Sequence, residues 1–422
     1  MMLLRRTALV PIVLLAFLVV APLAAADSLA GLWAGTVAVN GVDIPFQIEF
    51  SGKGGRVKGA FVNGGERVTS TAGRFDGASL TLSFDQYAEK LRATLKGGEL
   101  AGTIEGKFQP GPPQAVRFHA KPYAAAEAPA GTVPAIDGLW EIEINSSKGE
   151  SAWRFIVHQK GADVSAAILR VDGDTGALTG RCLSGKFVLS HFSGERPYLM
   201  DVTPQSDGTL AIALHDYSGK RDLLAYRPAD ARAKGLPEPA DPTQHTKMGD
   251  SKQPFAFSFP DLDGRTVSNT DARFRGKVLI VVITGSWCPN CHDEAPFLAA
   301  LYRKYRDRGL EIVALDFEDA DQIEHLTRLR AFIRHYGIEY ATLVGGDPDQ
   351  VNRKIPQLVN LNSWPTTVFI GRDGLVQSIH AGFAGAASGE FNNRLKDEIT
   401  ARVETMLAES APVARESRLA PR

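Results

Sequence analysis

Two cysteines two residues apart, in Gly285-Ser286-Trp287-Cys288-Pro289-Asn290-Cys291, are the side chains in this chain best suited to chemistry. Thiols at that spacing come within disulfide-bonding reach when both lie in the first turn of a helix. Unpaired backbone N–H groups and the helix dipole at such a terminus stabilise a thiolate at Cys288. Pro289 suits the first helical position, where its missing N–H has no intrahelical partner to lose. Roles follow from position. Cys288 lies at the exposed mouth and is the expected attacking thiolate; Cys291, one turn inside, resolves the mixed disulfide. The redox group is then the Cys288–Cys291 pair itself, and no other cofactor is expected.

Neighbouring residues offer fewer options. His292 could raise thiolate character or join the sulfurs as a metal ligand; an ordinary surface histidine is the default. Structural zinc takes four ligands and no second cysteine pair exists, so no metal is expected, although two soft thiolates leave a Cu(I) site as an alternative. The third cysteine, Cys182, reads as a buried apolar residue outside the chemistry.

The dithiol needs a buried strand behind it and a helix starting at it. Residues 277–284 (KVLIVVIT) form a continuous β-branched run, as in a strand covered on both faces of an α/β sheet. A helical stripe follows over 289–307, with Phe297, Leu298, Leu301 and Tyr305 on one face. A strand at 311–317, a helix at 320–336 and a strand at 340–344 come next. A hairpin of 366–370 and 375–380 and an amphipathic helix at 390–407 close the block.

With these elements in place, residues 255–408 resemble a thioredoxin-fold domain of the TlpA/ResA-like family of exported disulfide reductases. The likeness is carried by Phe257-Ser258-Phe259-Pro260-Asp261-Leu262-Asp263-Gly264, by Trp287-Cys288-Pro289-Asn290-Cys291 and by Ser363-Trp364-Pro365-Thr366-Thr367. It implies that Pro365 is cis and sits beside the dithiol, that the Trp364 backbone pairs with an extended substrate peptide, and that Trp287 and Pro289 belong to the substrate-binding surface. It also implies a catalytic role for Glu294, since the family places an acidic residue there, near the dithiol. Glu294 lies three residues after Cys291 and so returns to the same side of the helix, where it could relay a proton to or from Cys291. The alternative is a solvated surface glutamate. Thioredoxins carry a buried aspartate six residues before the first cysteine; here that position is Val282. Asp293 is expected to face water.

The preceding chain reads as β throughout, with alternating runs such as Ile44-Pro45-Phe46-Gln47-Ile48-Glu49-Phe50 and turn residues every eight to twelve positions. Trp33 and Trp140 both sit in Gly-Leu-Trp. The same offset pairs Phe46 with Trp153, Lys53-Gly54 with Lys160-Gly161, and Gly73-Arg74 with Gly180-Arg181, the pattern of a duplicated unit. The expected organisation is multidomain: an export signal over 1–26, antiparallel barrel- or sandwich-like repeats over 27–122 and 136–228, a linker over 229–254, an α/β thioredoxin-like domain over 255–408 and a disordered tail over 409–422. The repeats show no shared Asp, Glu or His cluster and read as scaffold or partner-recognition modules.

A net charge of −1 with no basic stripe excludes nucleic acid as a partner. Arg5-Arg6, the apolar run over 8–20 and Ala24-Ala25-Ala26 read as a cleaved signal, placing the protein in the periplasm or another exported compartment. An uncleaved segment would instead anchor it to the membrane, facing outward. The expected partners are protein disulfides and an exported or membrane thiol electron donor. A disulfide-forming oxidase is the rival with the same chemistry. A peroxidase is disfavoured because Gly285 stands where its motif needs threonine. The rival of another class is a binding protein using the repeats, with the thioredoxin fold as a platform.

Overall fold

The structure, a computed structural model, describes residues 29–108, 113–125 and 132–409. The expected export signal lies outside the described residues, as does the expected tail beyond residue 409. Among the described residues no helix is long and apolar enough to cross a membrane.

Each repeat closes on itself as an antiparallel barrel. In the first, Gly31–Val39 pairs with both Val42–Lys53 and Gln114–Pro122, and the ladder returns through Arg56–Asn63 to Val42–Lys53. Eight strands make the wall, while Glu66–Thr69 flanks Arg56–Asn63. The second repeats the plan from Gly138–Glu143 to Gly219–Tyr226, with Gly173–Asp174 flanking Asp163–Arg170. Closure removes the free edges that an eight-strand sheet would otherwise present. Alternation fills the interiors: Ile44, Phe46, Ile48 and Phe50 point inward from one strand and are buried.

The duplication extends to detail. Trp33 Nε1 donates to the Leu29 carbonyl at 3.0 Å, and Trp140 Nε1 donates to the Ile136 carbonyl at 2.8 Å. Each indole fills one barrel and satisfies its own N–H four residues upstream. Gly31 and Gly138, at φ +108° and +102°, start the two strands in a conformation that side chains avoid. Cys182 lies in the second core as a thiol.

The third unit is a five-stranded sheet in the order Ala341–Gly346, Leu310–Phe317, Val278–Thr284, Thr366–Ile370, Val376–Ala381. The first three strands are parallel and the last two antiparallel. Every residue of Val278–Thr284 is buried, as its β-branched run requires. Helices Pro289–Tyr305 and Glu390–Ala408 cover one face; Phe255, Phe257 and Phe259 help to cover the other. The helix expected at 320–336 is split into Ala320–Ile323 and Thr327–Tyr336. Leu326 adopts φ +50° at the break, and the second piece turns Arg328 into the interior.

Residues 229–254 correct the linker expectation. They contribute to helix Pro228–Ala233, form helix Pro242–His245, and add strand Lys247–Met248 beside Leu358–Val359. Pro228 and Pro242 occupy first-turn positions, where proline starts a helix rather than breaking one. Arg232 pairs with Glu141, and His245 Nε2 contacts Asn362 Oδ1 at 2.6 Å, so the strap is pinned at both ends.

Candidate active site

The dithiol sits where strand Val278–Thr284 hands over to helix Pro289–Tyr305. Gly285 makes the turn: a Cβ there would meet the Trp287 indole nitrogen at 2.4 Å and the Phe317 carbonyl at 2.7 Å. That packing lets Trp287 Nε1 donate to Phe317 O at 2.8 Å. Ser286 N donates to Glu318 Oε1 at 2.7 Å, and Arg328 Nε donates to Ser286 Oγ at 2.9 Å. Arg328, only 3% exposed, also reaches Glu318 and Asp319, both at 2.8 Å. A buried ion cluster therefore holds the loop from beneath.

Cys288 is the N-cap of the helix and Pro289 its first residue. Cys291 N and His292 N both donate to the Cys288 carbonyl, at 3.0 and 3.2 Å. Cys288 is 4% exposed and Cys291 2%; both are thiols. Cys288 is thus less open than its expected place at an exposed mouth. The half-exposed side chains around it are Trp287, Pro289 and Trp364. The Trp364–Pro365 bond is cis, and Cys288 Sγ donates to the Trp364 carbonyl at 3.6 Å. The Trp287 and Trp364 rings meet edge to face, 5.4 Å between centroids. Burial, followed by its contact with Cys288, pushes the Cys291 thiol well above its usual range.

Glu294 is buried on the same helix and accepts from Thr367 Oγ1 at 2.7 Å. Burial pushes its carboxyl up to about 8, against the opposing Thr367 bond. The solvated-surface alternative is excluded by that burial. Glu294, Cys291, Thr284, Tyr340, Val282 and Asp316 line one cavity of about 10 Å³, near the size of a single water. Asp316 was not legible in advance. It lies one residue before the end of strand Leu310–Phe317, opposite Thr284; its Oδ1 is buried with no partner among the described residues, and burial with nearby Glu318 drives its pKa well upward. Two carboxyls thus surround the space bordered by Val282.

His292 departs from the expected surface position. It is buried, with Nε2 against the Ser286 carbonyl at 2.8 Å and Nδ1 against Tyr336 Oη at 2.9 Å. A carbonyl only accepts, so Nε2 carries the proton and Nδ1 accepts from the tyrosine. Burial lowers its pKa to about 3. Both nitrogens are engaged, leaving the ring no lone pair for a metal. Tyr87 of the first barrel stacks on it at 4.0 Å.

The copies share no Asp, Glu or His cluster at matching positions, but unmatched polar residues from both meet the dithiol helix. Arg196 of the second barrel donates to Asn290 Oδ1 at 2.5 Å and to Asp293 Oδ2 at 3.1 Å, so Asp293 is paired rather than simply facing water. Asn290 Nδ2 donates to the Asp172 carbonyl at 2.7 Å. Glu66 and Asp174 lie near the same guanidinium; burial, with Asp293 close by, raises them to about 7 and about 6. The repeat offset was the available signal. It pairs Glu66 with Gly173, Tyr87 with Gly194 and Glu89 with Arg196, positions where the copies differ in chemistry.

The AhpC/TSA family matches residues 251–379. The thiol-disulfide oxidoreductase ResA of Bacillus thuringiensis subsp. konkukian is 30% identical over 136 residues, 32% of this chain and 70% of that one. The thioredoxin-like protein YneN of Bacillus subtilis is 32% identical over 126 residues, covering 30% and 68%. A solved thiol:disulfide interchange protein of the thioredoxin family from Chlorobium tepidum matches with TM-score 0.29 and 22% identity, over 37% of this chain and 97% of that one.

Proposed function

The chain belongs, through its C-terminal third, to the ResA/TlpA-like family of thiol–disulfide oxidoreductases, and on that premise we propose that it reduces protein disulfides in an exported compartment through Cys288 and Cys291. The observation that carries this reading is the placement of Cys288 at a helix N-terminus, 3.6 Å from the carbonyl that precedes the cis-proline.

The cycle balances in two exchanges. The Cys288 thiolate attacks one sulfur of the substrate disulfide, forming a Cys288–substrate bond; the other substrate sulfur leaves as a thiolate and takes a proton. Cys291 then loses its proton and attacks Cys288 Sγ. The Cys288–Cys291 bond forms, and the second substrate thiol leaves. The substrate gains two electrons and two protons, and an exported or membrane thiol donor restores the dithiol.

The proton on Cys291 is the difficult one, because burial disfavours its thiolate. Glu294, with its pKa near 8, is matched to take that proton, directly or through one water in the shared cavity. Cys291 then becomes nucleophilic only while the proton has somewhere to go. The test is reduction of insulin by the wild-type protein with dithiothreitol as donor. Turnover that disappears in Cys288→Ser is the expected result; equal turnover in that variant overturns the assignment.

A further inference from the structure

We infer that the second barrel forms one wall of the substrate site, so that residues 171–174 and Arg196 decide which disulfides reach Cys288. The inference rests on the oxidoreductase reading above and adds a specificity determinant outside the thioredoxin-like domain.

The wall is visible in the backbone. Gly382 N donates to the Pro365 carbonyl at 2.7 Å, which ties Gly382 and Phe383 to the cis-proline loop. Gly173 of the barrel pairs with Phe383 as a parallel β-bridge. An extended partner needs a free backbone track about 4.8 Å to one side of such a segment. Here the barrel already occupies it. The approach is too close for side chains: a Cβ on Gly173 would lie 2.5 Å from Phe383 O and 2.7 Å from Asn290 Cγ. One on Gly382 would lie 2.3 Å from Val171 O and 2.6 Å from Asp172 Cα.

Hydrogen bonds then fix the wall to the redox motif. Asn290, between the two cysteines, spends its amide on the barrel: Nδ2 on Asp172 O and Oδ1 on Arg196. Arg196 also holds Asp293 one turn further along. The first barrel secures the opposite flank with Tyr87 on His292 and Lys107 on Asp319. What remains half-open beside Cys288 is the side of Trp287, Pro289 and Trp364. A small or extended disulfide can be presented there along the Trp364 carbonyl. A folded partner that needs the Asn290 and Phe383 side meets the barrel.

The test compares access by size in the full-length protein. Reduction of glutathione disulfide and of insulin is measured for wild type, Arg196→Ala and Gly173→Val. In parallel, peptide mapping gives the rates at which Cys288 is alkylated by iodoacetamide and by a maleimide on a long polyethylene glycol. The second pair requires no turnover, so it reports on the wall even where the oxidoreductase assignment fails. Melting curves identify folded variants, and Arg196→Gln replaces either variant that does not fold. The expected result is a rise in the large-to-small ratio, in both assays, of at least about tenfold for Arg196→Ala, which removes the charge-assisted hydrogen bonds to Asn290 and Asp293, and a rise in the same direction for Gly173→Val, whose side chain forces the barrel away from Phe383. Ratios unchanged in folded variants overturn the wall.

Discussion

Glu294, the proton acceptor in the proposed cycle, is also a buried carboxyl with a cost to the fold. Its pKa stands at about 8 in the folded chain, against 4.5 for the exposed group. The folded state therefore keeps a proton that the unfolded state has released. Its contribution to stability is lost as pH rises from about 4.5 toward 8, by an amount on the order of a few kcal/mol. Glu294→Gln removes that titration. The variant should be the more stable relative to wild type at pH 8 than at pH 5, as read from urea midpoints, while its disulfide turnover falls by about tenfold to a hundredfold at pH 7 and recovers at pH 9. A pH–rate profile identical to wild type would separate Glu294 from the chemistry. The sequence made this residue legible because an i, i+3 relation to Cys291 is local geometry. Asp316 and His292 were not legible for the opposite reason. Their environments are made by strands and by a tyrosine from another domain, and no spacing encodes either.

At the level of elements, the turn from strand Val278–Thr284 into helix Pro289–Tyr305 rests on the cluster of Ser286, Glu318, Asp319 and Arg328. Arg328 reaches it because the helix expected as one piece breaks at Leu326. Removing the guanidinium while leaving Glu318 buried strands a charge. Arg328→Met should cost about 3 to 5 kcal/mol in chemical denaturation, the penalty for breaking a buried pair from one side. A loss below about 1 kcal/mol, typical of a surface pair, would mean that the cluster is not buried as described. The strand order and the dithiol turn were readable from β-branched runs, a first-position proline and helical stripes. The break was not, since Leu326 carries no turn chemistry of its own. The strap over 229–254 lacks an apolar period, so composition alone points to a linker; its order comes from contacts with distant segments, Arg232 with Glu141 and Lys247–Met248 with Leu358–Val359.

Over the whole molecule, duplication and function meet at one surface. The two barrels share strands, turns and a buried tryptophan at a constant offset, and that much was readable as repeated sequence. The contact with the dithiol was not, because Arg196 meets Asn290 across 94 residues and Asn290 meets Asp172 across 118. Such pairings leave no periodic trace. They set the second barrel directly against the helix that carries the dithiol. The central claim nonetheless turns on one sulfur. Full-length Cys291→Ser is mixed with oxidised insulin at neutral pH, quenched with acid and mapped by peptide mass spectrometry. The account predicts a stable insulin adduct bonded through Cys288, absent from the Cys288→Ser, Cys291→Ser double variant. An adduct on Cys182 instead, or none at all while the wild-type protein still turns over, would contradict it.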